Sequence, residues 1–176
     1  MTRVQYLIGN KILVNGAAGF IGSHLCEALL ARGAVVIGLD NLSTGRKANL
    51  HQINNHADFC FVEGDVSDRV LVDKLLTDCD SVYHLAAAVG VKLLTENPLA
   101  SIKNNSRGID TIFDLADQHR CKIFFASSSE VYGKADGGAL CETDPISLGP
   151  STVLRWSYGC GKALGEYLGL SVWFFS

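Results

Sequence analysis

The stretch Gly16-Ala17-Ala18-Gly19-Phe20-Ile21-Gly22 decides the fold of this chain. A short apolar run, residues 11–15, leads into it, and residues 23–32 carry apolar side chains at helical spacing. Gly33 then stops the helix. A strand, a glycine-rich turn and a helix in this order are typical of the first unit of an α/β fold with a parallel sheet.

The alternation of strand and helix continues along the chain. Apolar runs predict further strands at residues 34–39, 59–62, 81–85 and 122–126, and helical spacing predicts helices at 68–77, 98–118 and 154–170. This order predicts a doubly wound parallel sheet with helices on both faces, the Rossmann architecture. We expect an N-terminal lead at residues 1–10, a dinucleotide-binding domain at 11–171 and an aberrant end at 172–176.

Composition limits the possible partners. The 176 residues carry a net charge of −3 and no long run of Lys or Arg, so the basic surface that nucleic-acid binding needs is not expected. No stretch reaches the ~20 apolar residues of a membrane span, and residues 1–10 lack the core of a signal peptide. The six cysteines have scattered spacings, without zinc-type pairs. We expect a cytoplasmic protein whose partners are small molecules or proteins.

The glycine-rich turn fits a pyrophosphate. Its first glycine permits the tight turn, its second lets the backbone approach the phosphates, and its third lets the helix pack close to the sheet. Asp40 ends the second strand, where a carboxylate accepts hydrogen bonds from ribose hydroxyls and repels a 2′-phosphate, which favours NAD over NADP. An acidic turn residue without a ligand is the alternative, and Arg46 and Lys47 could soften the discrimination. Asp65 is either an adenine contact or part of a helix cap.

Tyr158 and Lys162 have the Tyr-x-x-x-Lys spacing that places both side chains on one face of a helix. The ammonium and a positive nicotinamide ring would both favour the phenolate, which makes Tyr158 a candidate general base and Lys162 its partner. For this pair alone, a core aromatic residue beside a surface lysine is the alternative. Residues 127–130, Ser-Ser-Ser-Glu, follow the fifth strand at the edge where open parallel sheets bind ligands.

Together these stretches resemble the extended short-chain dehydrogenase/reductase family, the NAD-dependent nucleotide-sugar epimerases and dehydratases. The resemblance covers residues 11 to about 171 in the family's order. The matching segments are residues 16–22, Asp40-Asn41 with Thr44-Gly45, Gly64-Asp65-Val66, His84-Leu85-Ala86-Ala87, Asn105, residues 127–133, and Tyr158 with Lys162.

The resemblance implies a role for each position. Ser128 matches the catalytic residue that hydrogen-bonds the reacting hydroxyl, and Ser129 and Glu130 follow where the subfamilies differ. The implied cofactor-binding residues are Gly16, Gly19, Phe20, Ile21, Gly22, Asp40, Asn41, Asp65, Val66, Leu85, Ala86, Ala87, Asn105, Tyr158 and Lys162. The chain departs from the family at Asn15, usually Thr or Ser, and at Gly161, usually Ser or Ala. A glycine there weakens the helix by up to about 1 kcal/mol.

The implied reaction is oxidation of a sugar hydroxyl, at C4, to a keto intermediate. The family's dehydratases carry Asp-Glu after the catalytic residue, so Ser129-Glu130 disfavours dehydration. The stretch Ala86-Ala87-Ala88-Val89 is similar to the epimerases and favours UDP-sugar 4-epimerisation. Ser129-Glu130, with Gly149-Pro150 and residues 155–158, resembles UDP-glucuronate decarboxylases, which is one alternative. An NAD-binding domain without turnover is another.

The chain is about half as long as the family's enzymes, so the resemblance implies that the C-terminal substrate domain is missing and that the full-length form is a homodimer. An uncovered sheet edge and the apolar residues 173–175 favour association. Positioning a substrate supplies about 7–11 kcal/mol of barrier lowering. We therefore expect the isolated chain to bind NAD weakly, to self-associate and to convert no sugar.

Overall fold

The fold is seen in a computed structural model that describes residues 7, 9–87, 97–133 and 138–175. Within these residues the strands β1 Lys11–Asn15, β2 Val35–Asp40, β3 Phe59–Glu63, β4 Ser81–His84 and β5 Lys122–Phe125 form one sheet in the order β3-β2-β1-β4-β5. β1 pairs in parallel with β2 and β4, and β2 pairs in parallel with β3. The predicted Rossmann architecture is confirmed. Its strand order changes direction beside β1, where such sheets bind their ligands.

The described helices are α1 Phe20–Leu30, α2 Arg69–Leu76, α3 Pro98–Gln118 and α4 Trp156–Phe175, with 3₁₀ turns at Lys47–Leu50 and Ser129–Tyr132. α3 has the predicted bounds and begins with a proline, which suits a first helical turn. α4 differs most from its prediction at 154–170, because it continues through the end that was expected to be aberrant. Ala88 and Val89, which carried part of the epimerase resemblance, lie outside the described residues.

β1 is buried on both faces. Ile12 and Val14 belong to a core cluster that includes Leu29 of α1, whereas Leu13 belongs to a second cluster that includes Ile112 of α3. Side chains alternate across a strand, so the odd and even positions of β1 fill these two clusters separately. Burying a side chain of this size stabilises the fold by about 1.5–3 kcal/mol. The packing of β1 on both faces therefore fixes the position of the glycine-rich turn that follows it.

Contacts between Cα atoms divide the chain into two compact units. Unit 1 consists of Met1–Ala86 and Asp110–Phe124, and unit 2 of Ala87–Ile109 and Phe125–Ser176. Both core clusters lie in unit 1, whereas the second 3₁₀ turn and α4 lie in unit 2. The sequence predicted one domain across residues 11–171. Among the described helices, none combines the length and the apolar character that crossing a membrane requires.

Candidate functional site

The glycine-rich turn in unit 1 is closed by contacts that exclude a side chain. Gly16 has a φ of +79°, and a Cβ there would lie 2.8 Å from the backbone nitrogen of Ala86. A Cβ on Gly22 would lie 2.0 Å from the carbonyl oxygen of Gly16. The backbone nitrogen of Gly19 donates a hydrogen bond to that same oxygen at 3.1 Å. These contacts bring the start of α1 close to the end of β1, as a dinucleotide-binding turn requires.

The N-terminus of α1 has the features of an anion site. Gly19 is the N-cap residue and provides no side-chain cap for the first backbone amides of the helix. Phe20 and Ile21 in the first turn are 78% and 67% exposed, so their side chains are not packed into the core. Backbone N–H groups and the helix dipole at such an end attract a phosphate. The close-packed turn and this uncapped helix end fit a dinucleotide cofactor.

Asp40 connects the turn to the end of β2 through hydrogen bonds. Its side chain is buried, and its carboxylate accepts hydrogen bonds from the backbone nitrogens of Ala18 at 2.9 Å and Leu42 at 2.8 Å. Each carboxylate oxygen has a second lone pair, so Asp40 keeps capacity to accept bonds from a ribose. Asp40 therefore has a structural role in addition to the ligand-binding role that the sequence predicts.

Asn41 and Asp65 connect the ends of β2 and β3. The side-chain amide of Asn41 donates to Asp65 at 2.7 Å, and Ser67 donates to Asp65 through both its backbone nitrogen and its hydroxyl. Burial by itself would raise the pKa of Asp65, but these hydrogen bonds together hold that pKa below its usual value. The N-cap of α2 is Asp68, whose carboxylate accepts from the backbone of Leu71, so Asp65 is not needed as a cap. Among the other predicted cofactor residues, Val66 packs against the second core cluster.

Asn15 joins the end of β4 to the start of the turn. It is fully buried, and its Oδ1 accepts hydrogen bonds from the backbone nitrogens of Leu85 and Ala86, both at 3.1 Å, and from Nδ1 of His84 at 2.8 Å. The two backbone donors fix which side-chain atom is the oxygen. Among the described residues, Nδ2 of Asn15 has no hydrogen-bond partner. A buried donor left in this state costs about 1–3 kcal/mol.

Of the two basic residues near Asp40 in sequence, Lys47 has its side chain paired with another group. Nζ of Lys47 lies 2.7 Å from the carboxylate of Glu63 and 5.8 Å from the ring centroid of Phe61. The backbone nitrogen of Arg46 donates to the carbonyl oxygen of Ala18 at 3.0 Å. Both partners of the Lys47–Glu63 pair are exposed, so the pair adds at most about 1 kcal/mol. It nevertheless directs the Lys47 charge toward β3.

In unit 2, Ser128 caps the 3₁₀ turn that carries the predicted hydroxyl and carboxylate groups. Its Oγ accepts a hydrogen bond from the backbone nitrogen of Glu130 at 3.3 Å. That bond does not use the hydroxyl hydrogen, so Ser128 can still donate to a substrate oxygen. Ser129 is exposed, and the hydroxyl of Ser127 donates to the carboxylate of Glu166 on α4.

Lys162 is buried, with 4% of its surface exposed. Its Nζ donates to the carbonyl oxygen of Ala126 at 2.6 Å and lies 4.6 Å from the ring centroid of Phe125 and 5.8 Å from that of Tyr158. Ring faces attract a cation at these distances. Burial lowers the pKa of Lys162 to about 8. The helical spacing that the sequence shows therefore does bring the ammonium to Tyr158.

Tyr158 titrates in the opposite direction from the one that its spacing to Lys162 predicts. Its pKa is raised, first by burial and second by the negative charge of Glu130. Burial disfavours the charged phenolate, and the negative charge of Glu130 adds repulsion. A phenolate near neutral pH therefore needs additional positive charge from a bound group.

Glycines let α4 approach the end of β5 and the 3₁₀ turn that follows it. A Cβ on Gly159 would lie 2.8 Å from the carbonyl oxygen of Glu130, and one on Gly165 would lie 2.4 Å from the ring of Phe125. Gly161 is different, because a Cβ there would meet no atom within 4 Å. Gly159 and Gly165 thus serve packing beside the predicted catalytic residues, whereas Gly161 faces open space.

The structure groups the predicted residues by unit. Unit 1 brings the glycine-rich turn together with Asp40 and with Leu85 and Ala86, and unit 2 brings Ser128 and Glu130 together with α4. Ala87 and Asn105, which the resemblance assigns to the cofactor, belong to unit 2.

Three side-chain contacts near these groups were not predicted from the sequence. Asn49 donates to the carbonyl oxygen of Ala18 at 2.8 Å, Glu166 accepts from Ser127, and Arg155 lies 4.0 Å from Glu130. Glu166 lies one helical turn beyond Lys162. This spacing is the feature of the sequence from which its position near the site could have been predicted.

Comparison with known proteins assigns the family. The family model of GDP-mannose 4,6 dehydratase matches residues 13–173. The chain belongs to this family. The nucleotide-sugar epimerase and dehydratase family that the sequence predicts is therefore confirmed.

Individual members of the family support the assignment in sequence and structure. A UDP-N-acetyl-alpha-D-glucosaminuronate decarboxylase from Bacillus cytotoxicus is 36% identical over 158 residues, which is 90% of this chain and 48% of that protein. A UDP-N-acetylglucosamine 4-epimerase from Methanobrevibacter ruminantium M1 superposes with a TM-score of 0.82 at 32% identity, over 93% of this chain and 50% of that chain. A UDP-glucose 4-epimerase from Brucella ovis, in complex with NAD, gives 0.77 at 29% identity, over 91% and 46%. The chain spans about half the length of the relatives that it matches.

Proposed function

We propose that this chain supplies the NAD-binding and proton-transfer parts of an enzyme that oxidises the C4 hydroxyl of a UDP-linked sugar. The observation that carries the proposal is the buried Lys162 ammonium beside Tyr158. A desolvated cation next to a tyrosine with a raised pKa costs the fold stability. Such perturbed pairs concentrate at functional sites.

The start of α1 and the carboxylate of Asp40 bind the cofactor. The amides at the start of α1 bind the pyrophosphate, and Asp40 accepts bonds from the adenosine ribose while repelling a 2′-phosphate. Lys47 is paired with Glu63, which leaves less positive charge for a 2′-phosphate and supports NAD. NAD, when bound, supplies the acceptor for the hydride that leaves C4. The NAD complex of the Brucella ovis epimerase supports this choice.

Proton transfer belongs to unit 2. Tyr158 takes the proton of the C4 hydroxyl, and Ser128 donates a hydrogen bond to the oxygen that loses it. Lys162 keeps positive charge beside the Tyr158 ring below its pKa of about 8, which favours the phenolate. The ionisation of Lys162 and Tyr158 together therefore sets the pH range of the oxidation.

The fate of the keto-sugar gives two candidates. Inversion at C4 gives 4-epimerisation, which the Ala86-Ala87 stretch favours. Decarboxylation is the second candidate, because the Glu130 carboxylate acts electrostatically on Tyr158 and a relative with 36% identity is named a uronate decarboxylase. Ser129-Glu130 in place of Asp-Glu argues against dehydration. A domain that binds NAD without turnover is the remaining alternative.

Product mass distinguishes these outcomes. The chain, extended to the length of its relatives and loaded with NAD, is incubated separately with UDP-glucose and with UDP-glucuronate. An unchanged mass with altered sugar stereochemistry supports epimerisation, and loss of carbon dioxide supports decarboxylation. A product that has lost water contradicts the proposal. NAD binding without any product supports the domain without turnover.

We also propose that the protein is cytoplasmic and forms a homodimer. On α4, Leu164, Tyr167 and Leu170 are 48%, 62% and 54% exposed. These residues form an apolar stripe along the helix. Such a stripe packs against another helix, and we propose that this is α4 of a second copy of the chain. Sedimentation of the chain and of Tyr167→Lys tests this arrangement, with weaker association expected for the variant. Equal association of the two chains contradicts it.

A further inference from the structure

We infer that Glu166 is a positioning residue for Ser128, on which it acts through Ser127. The contact that carries the inference is the hydrogen bond from the hydroxyl of Ser127 to the carboxylate of Glu166. The inference rests on the proposed function, because it concerns the serine that donates to the C4 oxygen. What it adds is a residue of α4 that selects one hydroxyl from three consecutive serines.

The three serines of residues 127–129 compete for one task. Each hydroxyl has a single hydrogen to donate. Ser127 donates its hydrogen to Glu166, so it has none left for a substrate oxygen while that bond holds. Ser128 uses only a lone pair of its Oγ, which accepts from the backbone nitrogen of Glu130 at 3.3 Å. The bond to Glu166 therefore removes Ser127 as a competing donor and leaves the hydrogen of Ser128 for the sugar.

α4 holds the chain on both sides of Ser128. Three consecutive residues before it contact this helix: Phe125 at Gly165, Ala126 at Nζ of Lys162, and Ser127 at Glu166. Beyond Ser128, a Cβ on Gly159 would lie only 2.8 Å from the carbonyl oxygen of Glu130. Ser128 itself lies in extended backbone, with φ −150° and ψ 147°. Glu166 supplies the contact that directly precedes Ser128, so its loss releases the neighbouring residue.

The bond between Ser127 and Glu166 serves orientation more than folding. Ser127 is exposed and Glu166 is half-buried, and neither belongs to the two core clusters. Water can therefore replace either partner when the other is removed, which keeps the cost to stability small. A hydroxyl that donates to a carboxylate nevertheless forms one of the stronger kinds of hydrogen bond. Its loss should change where Ser127 points while the fold persists.

The test measures hydride transfer in a single turnover. The chain, extended to the length of its relatives and saturated with NAD, is mixed with saturating UDP-glucose or UDP-glucuronate, and NADH absorbance is followed. Glu166→Ala removes the acceptor and Ser127→Ala removes the donor, whereas Glu166→Gln keeps an oxygen that can accept. A double variant with alanine at both positions removes the whole contact.

Two further variants are matched controls. Ser171→Ala removes another serine of α4, whose hydroxyl donates to the carbonyl oxygen of Tyr167 at 2.8 Å within the same helix. Glu142→Gln removes the charge of an exposed glutamate in unit 2. Both should form NADH at the parent's rate.

Glu166→Ala and Ser127→Ala should each slow NADH formation about 10- to 100-fold, because a displaced catalytic group loses rate. Affinities for NAD and for the sugar should stay as in the parent, since the loss falls on the reaction step. The double variant should be no slower than either single variant, because the second change removes the partner of a bond already lost. Glu166→Gln should lose less than Glu166→Ala does.

A Ser128→Ala background separates positioning from a general structural effect. If Glu166 acts through Ser128, adding Glu166→Ala to Ser128→Ala should slow NADH formation no further. Equal slowing in both backgrounds overturns the inference. Urea unfolding reports whether each variant folds, and Ser127→Ala, at an exposed side chain, decides the matter if Glu166→Ala does not fold.

The remaining outcomes separate this inference from the proposed function. NADH formation at the parent's rate in Glu166→Ala or in Ser127→Ala shows that the contact does not position Ser128, and it leaves the proposed oxidation standing. A parent that forms no NADH with either sugar contradicts both the proposed function and this inference.

Discussion

The Nζ atom of Lys162 donates a 2.6 Å hydrogen bond to the carbonyl oxygen of Ala126 in a buried site. Burial lowers the pKa of Lys162 from 10.5 to about 8. The folded chain therefore holds this proton less tightly than the unfolded chain does. The charged lysine lowers stability below pH 8, and stability is regained as the pH rises through the interval between 8 and 10.5.

Lys162→Met should therefore stabilise the chain at neutral pH. The pKa difference corresponds to about 3 kcal/mol, and loss of the hydrogen bond to Ala126 offsets about 1 kcal/mol or more of it, so a net gain of about 1–2 kcal/mol is expected. Urea unfolding measures the gain at neutral pH and again above pH 10.5, where it should be lost. Lys103→Met, at an exposed lysine of α3, is the control. A gain that is the same at both pH values contradicts the assignment.

Glu130→Gln should lower the pKa of Tyr158, because the Glu130 charge is the second cause of its elevation after burial. Phenolate absorbance is followed against pH in the chain and in Glu130→Gln, each after subtraction of the matching Tyr158→Phe trace. The Tyr158 titration should move to lower pH. Glu142→Gln, at an exposed glutamate of unit 2, should leave it in place. An unmoved titration in Glu130→Gln would show that the carboxylate does not act on the base.

Gly161→Ala should raise the free energy of unfolding by about 0.5–1 kcal/mol, because alanine is the better helix former and the added Cβ meets open space. Gly165→Ala is the matched control in the same helix. Its Cβ would lie 2.4 Å from the Phe125 ring, so it should destabilise the chain. Denaturant unfolding compares both with the parent. Equal effects of the two substitutions would contradict the packing described for α4.

Asn15→Ala should lower the free energy of unfolding by about 1–3 kcal/mol, because the backbone nitrogen of Ala86 and Nδ1 of His84 lose their shared acceptor, whereas the nitrogen of Leu85 keeps the carbonyl oxygen of residue 15. Asn15→Thr keeps an acceptor oxygen and removes the unpartnered Nδ2, so its effect should be small. Thermal and urea unfolding of both variants provide the comparison. If Asn15→Thr were as damaging as Asn15→Ala, the hydrogen-bonding role of the side chain would be refuted.

NAD should bind more tightly than NADP, and Asp40→Ala should narrow the gap. The same change should destabilise the chain by about 2 kcal/mol or more, since the backbone nitrogens of Ala18 and Leu42 lose a charged acceptor. Asp40→Asn keeps one acceptor oxygen and should be less damaging to stability while still weakening the discrimination. Calorimetric titration gives both affinities. Equal affinities for NAD and NADP in the parent would refute the role of Asp40.

What the sequence predicts well depends on local periodicity and on turn chemistry. Pro98 marks the start of α3 and Gly16 the left-handed turn, because each residue type fixes backbone geometry where it stands. The contacts of Asn15 could not be predicted, since two of its donors are backbone nitrogens of a strand end remote in sequence. The direction of the Tyr158 pKa depends on burial, which the spacing to Lys162 does not reveal.

The proposed oxidation by Tyr158 is tested by the formation of NADH in a single turnover. The chain, extended to the length of its relatives and saturated with NAD, is mixed with UDP-glucuronate or UDP-glucose, and NADH absorbance is followed beside that of Tyr158→Phe. We predict that NADH appears in the parent, whereas Tyr158→Phe binds NAD equally well and forms almost none. NADH formation at the parent's rate in Tyr158→Phe, or none in a parent that binds both NAD and sugar, would contradict it.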